Sequence, residues 1–229
     1  MIKMKKSKVF ITLILVIVIA IGSCVCMIDN SAKNQVNVAQ KLLEEKYNKE
    51  FQVNAIGERF GTLTNNTYKV QCYPVDNVND VFIAEIGEEG NLLYDDYVSV
   101  CVCRKVREII KEELGSTTEV LVESRPSITD ETNPNISFED FVKNNQADFV
   151  VYVVTKDDFS KIKEKFDSFA EANNSVNIEL RAYCEKSDEQ LSDFKAAADK
   201  GNRMNSEIKF ILDDLPQIIK YTNGVGIEK

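Results

Sequence analysis

The hydrophobic positions of this 229-residue chain form one long apolar stretch and then a series of short periodic segments. The apolar stretch is Val9 to Ile28, VFITLILVIVIAIGSCVCMI, which has no charged residue and follows a leader with four lysines. About 20 apolar residues are enough to cross the hydrocarbon core of a bilayer as a helix. Because the lysines precede the stretch, residues 1–30 are predicted to be a membrane anchor with the rest of the chain outside the cell.

The same residues support a second interpretation, in which the stretch is a cleaved signal. Val9 to Ile21 has the length of a signal-peptide apolar core. The sequence Ile21-Gly-Ser-Cys24 resembles a bacterial lipobox, in which an aliphatic and two small residues precede a cysteine. Cys24 would then carry the lipid and become the first residue of the mature protein. A soluble secreted protein is the third alternative.

The segments behind the anchor predict one helix followed by three strands. Val36, Ala39, Leu43 and Tyr47 recur at the spacing of a single helical face. Three short apolar segments follow, and their pattern is typical of half-buried strands. These strands are predicted near residues 51–55, 68–74 and 81–86. The order favours an antiparallel meander with the helix on one face.

A longer helix is predicted from about Asp95 to Leu114, where apolar residues form a broad stripe at helical spacing. Asp95 and Asp96 suit the first turn of a helix, and Gly115 suits the position just after its end. The two aspartates lie beside two tyrosines, a combination that could bind a cation or act in acid–base chemistry. Helix capping is the simpler interpretation of the pair.

The second half of the chain alternates strands and helices. Glu123 to Ile136 holds two of the four prolines and is predicted to be a linker. The continuous apolar run 149–154 is typical of a strand that is buried on both faces, and 176–184 alternates as a strand does. Helices are predicted between and after these strands, whereas Ile208, Phe210 and Leu212 favour a further strand. The segment 215–221 fits either a helix or an edge strand.

The predicted fold class is therefore α+β: an N-terminal membrane helix followed by two small modules, each with amphipathic helices packed on a sheet. The first module covers residues 31–115 and the second covers residues 116–229, with the 123–136 linker near its start.

Composition restricts the chemistry of the chain. It has no histidine, which excludes histidine-based nucleophilic sites and histidine-ligated zinc. Its formal charge of -9 argues against nucleic acid as a partner. Arg104, Lys105 and Arg107 are expected to form a solvated face that pairs with Glu108 and Glu112. No residue is predicted to be catalytic, to bind a cofactor or to ligate a metal.

Four cysteines lie behind the anchor. They are Cys72, Cys101, Cys103 and Cys184. Each lies in an apolar pattern, which favours buried free thiols. Cys101 and Cys103 lie two apart on the predicted helix and therefore face different sides, but a disulfide between Cys72 and either of them is an alternative.

Two segments of the first module resemble known bacterial proteins. Leu43-Glu-Glu-Lys-Tyr-Asn-Lys-Glu-Phe51 resembles the opening of small membrane-anchored proteins of Gram-positive bacteria, and the spacing of Phe82, Gly90, Asp95 and Tyr97 resembles a later segment of such proteins. The order of helix, strands and a glycine-containing last turn is similar to a PepSY-type module, a small extracytoplasmic domain. The resemblance implies location and fold, and it brings no catalytic residues.

These observations favour a membrane-tethered, non-enzymatic protein of the bacterial surface that binds a protein or peptide. Its expected contacts are the membrane, through the N-terminal segment, and a surface or secreted protein. An inhibitor or chaperone-like module acting on a secreted protease is the first alternative, suggested by the PepSY-like order. A surface hydrolase that uses carboxylates is the second.

Overall fold

The computed structural model of the protein describes residues 34–56, 67–125, 131–144, 148–173, 176–184, 187–200, 203–222 and 225–227. The predicted anchor and Cys24 lie outside these residues, as does most of the predicted 61–67 turn. Within the described part of the chain, no helix combines the length and the apolar character that a membrane span requires.

These ranges contain six helices and nine strands. The helices are α1 (34–47), α2 (Tyr97–Leu114), α3 (Phe138–Asn144), α4 (Phe159–Ala172), α5 (Asp188–Asp199) and α6 (Ser206–Asp213). The strands are β1 (Phe51–Ala55), β2 (Tyr68–Pro74), β3 (Phe82–Ile86), β4 (Leu92–Asp95), β5 (Thr118–Arg125), β6 (Asp148–Thr155), β7 (Asn177–Cys184), β8 (Gln217–Thr222) and β9 (Val225–Ile227).

The first sheet is an antiparallel meander in the order β1-β2-β3-β4. Alternate residues of β2 are buried, so one face of the sheet packs on a hydrophobic core and the other faces solvent. The first core contains Phe51, Val70 and Phe82 from the sheet and Leu43 from α1. The predicted helix and its three following strands are confirmed.

The strand β4 corrects the predicted start of the long helix. Leu92–Asp95 pairs with β3, so Tyr94 and Asp95 are strand residues and α2 begins only at Tyr97. The tight turn before β4 requires Gly90, whose φ is +77°. The apolar residues of β4 continued the helical stripe of α2 in sequence, and the strand was missed for that reason.

The second sheet has the order β5-β6-β7-β8-β9. The pair β6 and β7 is parallel, and α4 connects them, as the strand-helix-strand pattern predicted. The other neighbours are antiparallel. Glu123 to Arg125 belong to β5, so the prediction that the linker starts at Glu123 was wrong.

Helices cover both faces of the second sheet. Seven of the eight residues of β6 are buried, which confirms the strand that was predicted to be buried on both faces. Phe166 of α4 and Phe141 of α3 pack in a second core on one face. Phe194 of α5 and Ile208 of α6 pack in a third core on the other face. The chain is a mixed α+β protein.

The helix α6 replaces the strand that was predicted from Ile208, Phe210 and Leu212. The side chain of Asn205 accepts a hydrogen bond from the Ile208 backbone N–H at 2.9 Å and caps the helix. Ile208 and Leu212, four residues apart, are buried, while the intervening Phe210 is 70% exposed. The alternation in sequence therefore did not reflect two sides of a strand. The ambiguous segment after it contains the strand β8.

The helix α2 contributes to the first and the second cores. Tyr97 and Val100 pack in the first core with the β1–β4 sheet. Val102, Val106 and Ile110 pack in the second core with the β5–β9 sheet. The two sheets are therefore joined through the two faces of one helix.

Candidate functional site

The paired aspartates before α2 have structural partners. Asp95 accepts hydrogen bonds from the Tyr47 hydroxyl at 2.6 Å and from Lys46 Nζ at 2.8 Å. Its Oδ1 also lies 3.2 Å from the Tyr97 backbone nitrogen, which donates to it. Burial, followed by the charge of Asp95, raises the pKa of Tyr47 far above its ordinary value. These contacts hold α1 against β4 and use the carboxylate that a cation would need.

Asp96 joins distant segments and does not cap α2. It precedes the helix, but its side chain makes no capping hydrogen bond. Instead, Oδ1 accepts from the Ile83 backbone N–H at 2.7 Å and Oδ2 accepts from Arg203 Nη1 at 2.7 Å. Arg203 precedes α6, so this ion pair connects the first sheet to the helices behind the second. The sequence pattern did not predict Ile83 or Arg203 as a partner of Asp96.

The basic residues of α2 do not form the predicted solvated face. Arg104 Nη1 lies 2.7 Å from Asp80 Oδ2. Lys105 Nζ donates to the carbonyl oxygens of Pro134 and Ile136 at 3.2 and 2.8 Å. The expected partners on the same helix were wrong because loops and strands of other segments enclose α2 on this side.

Arg107 is the most deeply placed of these cations. Its Nε donates to the Val120 carbonyl oxygen at 2.5 Å, and its Nη2 lies 2.7 Å from Asp199 Oδ1. Val120 belongs to β5, the edge strand of the second sheet. Arg107 therefore satisfies a backbone acceptor at a sheet edge and ties that edge to the end of α5.

A polar cleft opens between these elements. Its volume is about 360 Å³, and the β2–β3 loop, α2 and the end of α5 form its walls. The lining side chains are three cations, three carboxylates and two amides. They are Arg104, Arg107, Lys111, Asp80, Glu108, Asp199, Asn77 and Asn79. The three cations are spaced three and four residues apart, which places them on one face of α2.

Asp80 is the unusual residue of this cleft. Its side chain is 3% exposed, and its Oδ2 is held by Arg104 and lies 3.9 Å from Cys101 Sγ. Its Oδ1 is buried and has no hydrogen-bond partner among the described residues. Burial raises the pKa of Asp80, and the charges of Arg104 and Lys49 oppose that increase. Oδ1 is closed to solvent, and a hydrogen bond from the Asn77 side chain to the carboxylate also opposes the increase in its pKa.

The cations of the cleft are each engaged with a carboxylate, but they are not fully used. Lys111 Nζ lies 2.6 Å from Glu119 Oε2, and its side chain remains 34% exposed. Arg104 remains 36% exposed beside Asp80. Since an arginine has five N–H donors and a lysine three, both can donate to a further group. The cleft therefore offers spare donors on Arg104 and Lys111 beside the buried carboxylate of Asp80.

Three of the outer cysteines are buried free thiols: Cys72, Cys101 and Cys103. Burial and then the charge of Asp80 raise the pKa of Cys101 to about 11, and burial raises the pKa of Cys103 to about 12. Cys184 is half-buried at the end of β7. In the described part of the chain, no group of three or more cysteine, aspartate or glutamate side chains is arranged to hold a metal ion.

Comparison with known proteins identifies the fold and leaves the activity open. No protein-family profile matches the chain. No curated protein matches it either. The fold is similar to the crystal structure of a DUF5037 family protein from Ruminococcus gnavus, with a TM-score of 0.56 and 13% sequence identity. The match covers 82% of this chain and 92% of that one. The PepSY-like character of residues 36–97 stays a prediction.

Proposed function

We propose that the protein is a non-enzymatic, membrane-tethered protein of the outer cell surface that binds a protein or peptide segment in the polar cleft beside α2. One observation carries the binding role. The cleft brings together charged and amide side chains from three separate parts of the chain, and they surround the buried carboxylate of Asp80. Arg104 fixes that carboxylate at 2.7 Å.

The location rests on the sequence. The uncharged stretch from Val9 to Ile28 behind four lysines supports an anchor, with lipidation of Cys24 as the alternative form of tether. The chain carries a formal charge of -9, so repulsion disfavours nucleic acid and anionic lipid surfaces as ligands of the body. A protein or peptide partner remains the best match to a mixed-charge cleft.

Affinity capture of the full-length protein from its own membranes tests this proposal. Asn79 is exposed at the cleft, so Asn79→Arg should block the cleft without disturbing the core. Asn54→Arg, the same change at an exposed position of β1, is the matched control. The wild type and the control should recover the same partner, and Asn79→Arg should lose it. Equal recovery by all three would place binding elsewhere, and no partner together with measurable turnover would end the proposal.

A surface hydrolase is the second candidate, and one observation favours it. Asp80, Glu108 and Asp199 line the same cleft, and burial raises the pKa of Asp80. Carboxylates with different pKa values are the usual means of acid–base catalysis without histidine. However, Arg104 and Arg107 hold two of these carboxylates in ion pairs at 2.7 Å. An arginine partner stabilises the ionised form and makes each a weaker proton donor.

A further inference from the structure

The cleft lies at one end of the first sheet. The β2–β3 loop supplies three of its lining side chains, Asn77, Asn79 and Asp80. The β3–β4 turn, residues 87–91, lies at the opposite end, because Tyr68 at the start of β2 pairs with Ile86 just before the turn. The seven residues of β2 separate the two ends by about 20 Å, at about 3.4 Å per residue.

The helix α1 runs from the turn to the cleft end of this sheet. Near its start, the Gln35 side chain accepts a hydrogen bond from the Tyr68 hydroxyl. Just beyond its end, Lys49 Nζ lies 2.9 Å from Asp76 Oδ1 in the β2–β3 loop. The helix has 14 residues and is therefore about 20 Å long at 1.5 Å per residue. The chain thus enters the first sheet and its helix at the end that is remote from the cleft.

The connection to the predicted uncleaved anchor is short. Five residues, 29–33, separate Ile28 at the end of the apolar stretch from Asn34 at the start of α1. A chain extends by at most about 3.6 Å per residue, so Asn34 stays within about 20 Å of Ile28. An anchored protein is therefore held to the membrane by the turn end of its first sheet.

The charges at the turn argue against adhesion to the bilayer at this end. Glu88 and Glu89 are exposed carboxylates, which are costly to insert among lipids and are repelled by anionic headgroups. The length of the connection, and not binding to lipid, therefore sets how close the turn lies to the membrane.

We infer that the 87–91 turn is the membrane-facing end of the first sheet and that the cleft lies about 20 Å farther out. The partner of the cleft is then a water-soluble polypeptide segment, and neither a lipid nor a membrane-embedded segment. This inference rests on the proposed function, because it takes the anchor and the cleft from it and names the kind of partner.

Fluorescence quenching of the full-length protein in phosphatidylcholine proteoliposomes tests the orientation. A small fluorophore is attached through an unnatural residue at position 89 in one sample and at position 79 in another, since Glu89 and Asn79 are both exposed. Lipids with a nitroxide on the headgroup quench fluorophores that come close to the bilayer surface. Quenching should be several-fold stronger at position 89 than at position 79. Equal quenching, or stronger quenching at position 79, would overturn the inference.

A longer connection tests whether chain length holds the turn near the bilayer. Twenty glycine and serine residues inserted between Ser31 and Ala32 add a root-mean-square reach of about 25 Å. Quenching at position 89 should then fall to the level at position 79. Unchanged quenching would mean that the turn adheres to lipid, and it would overturn the inference.

Two further outcomes separate this inference from the proposed function. If the protein does not float with the vesicles, both the anchor and the inferred orientation are wrong. If Asn79→Arg abolishes partner capture but crosslinking places a membrane-embedded segment of the partner in the cleft, the inference is wrong and the proposed function stands.

Discussion

Cys101 and Cys103 lie two positions apart on α2, and their side chains are buried in different hydrophobic cores. Cys101 belongs to the core of the first sheet, and Cys103 belongs to the core that α2 shares with the second sheet. The two faces of one helix therefore supply apolar contacts to both sheets. We expect the two sheets to unfold together because neither keeps its core without α2.

Ile110→Ala tests this coupling. Ile110 is 1% exposed in the second core, and truncating a buried isoleucine typically costs about 2–5 kcal/mol of unfolding free energy. Chemical denaturation followed by circular dichroism should give that loss in a single transition, and hydrogen exchange should accelerate in both sheets. Ile109→Ala is the control, since Ile109 is 41% exposed and should change stability by less than about 0.5 kcal/mol. Faster exchange in the second sheet alone would contradict the coupling.

The buried thiols should resist labelling in the native protein. Burial raises the pKa of Cys101 to about 11 and that of Cys103 to about 12, and it also raises the pKa of Cys72. The thiolate is the reactive form, so an alkylating reagent at pH 8 should modify these residues only after denaturant is added. Peptide mass spectrometry assigns each site. Rapid native labelling, or a disulfide from Cys72, would show that the core differs from this description.

Tyr47→Phe should destabilise the protein. The change leaves the buried Asp95 without its 2.6 Å hydroxyl donor, and losing such a partner costs about 1–3 kcal/mol. Tyr73→Phe, at a half-buried tyrosine of β2, is the control and should stay within about 0.5 kcal/mol. Denaturation midpoints at pH 7 give both values. Equal losses for the two variants would mean that the Tyr47 hydroxyl contributes nothing specific.

The same tyrosine predicts alkaline sensitivity. Its pKa is raised in the folded state above the unfolded value of about 10. The unfolded chain therefore loses this proton first as pH rises, and the stability from protonated Tyr47 is complete below about pH 10 and declines above it. Unfolding free energy measured from pH 8 to 11 should fall more steeply for the wild type than for Tyr47→Phe. Parallel pH profiles for the wild type and Tyr47→Phe would contradict the assignment of the alkaline sensitivity to Tyr47.

Arg107 should contribute more to the stability of the fold than its acidic partner, Asp199. Arg107→Gln removes a charged donor from the Val120 carbonyl oxygen as well as from Asp199, and hydrogen bonds to charged groups are worth about 1.5–3 kcal/mol. Asp199 is 49% exposed, so Asp199→Asn should cost no more than about 1 kcal/mol. Thermal unfolding of the two variants gives the loss of stability that each substitution causes. Equal losses would show that the ion pair, and not the bond to the β5 edge, dominates.

The N-terminal segment makes a prediction about the mature protein. An uncleaved anchor predicts that the intact mass begins at Met1 and that the protein stays in the membrane fraction after an alkaline carbonate wash. A mass that begins at a lipidated Cys24, lost in Cys24→Ala, would establish the lipoprotein alternative. A cleaved and unmodified mature protein in the medium would contradict both forms of tether.

Sequence patterns predicted most elements where burial follows one period. The helix face through Leu43 and the alternation in β2 are examples, because each side of these elements meets one environment. The predicted start of α2 was wrong because the apolar residues of β4, Leu92–Asp95, continue the apolar stripe of the helix in sequence. The strand predicted around Phe210 was wrong because the alternation of apolar residues there lies on a helix.

The candidate cleft could not be predicted from local sequence. Arg104 and Asp80 lie 24 residues apart, and Arg107 and Asp199 lie 92 residues apart, so their pairing depends on how the sheets pack around α2. A helix whose acidic residues follow its cations closely in sequence suggests pairing within the helix. Only the tertiary structure shows that Asp80 is the partner of Arg104 and that Asp199 is the partner of Arg107.

Site-directed photo-crosslinking in living cells tests the central claim most directly. A photoreactive residue at Glu108, exposed on α2 at the cleft, is compared with one at Glu171, exposed on α4. The account predicts one defined protein or peptide adduct from position 108 and none from position 171. The same adduct from both positions, or adducts from position 171 alone, would contradict the claim that the cleft beside α2 is the binding site.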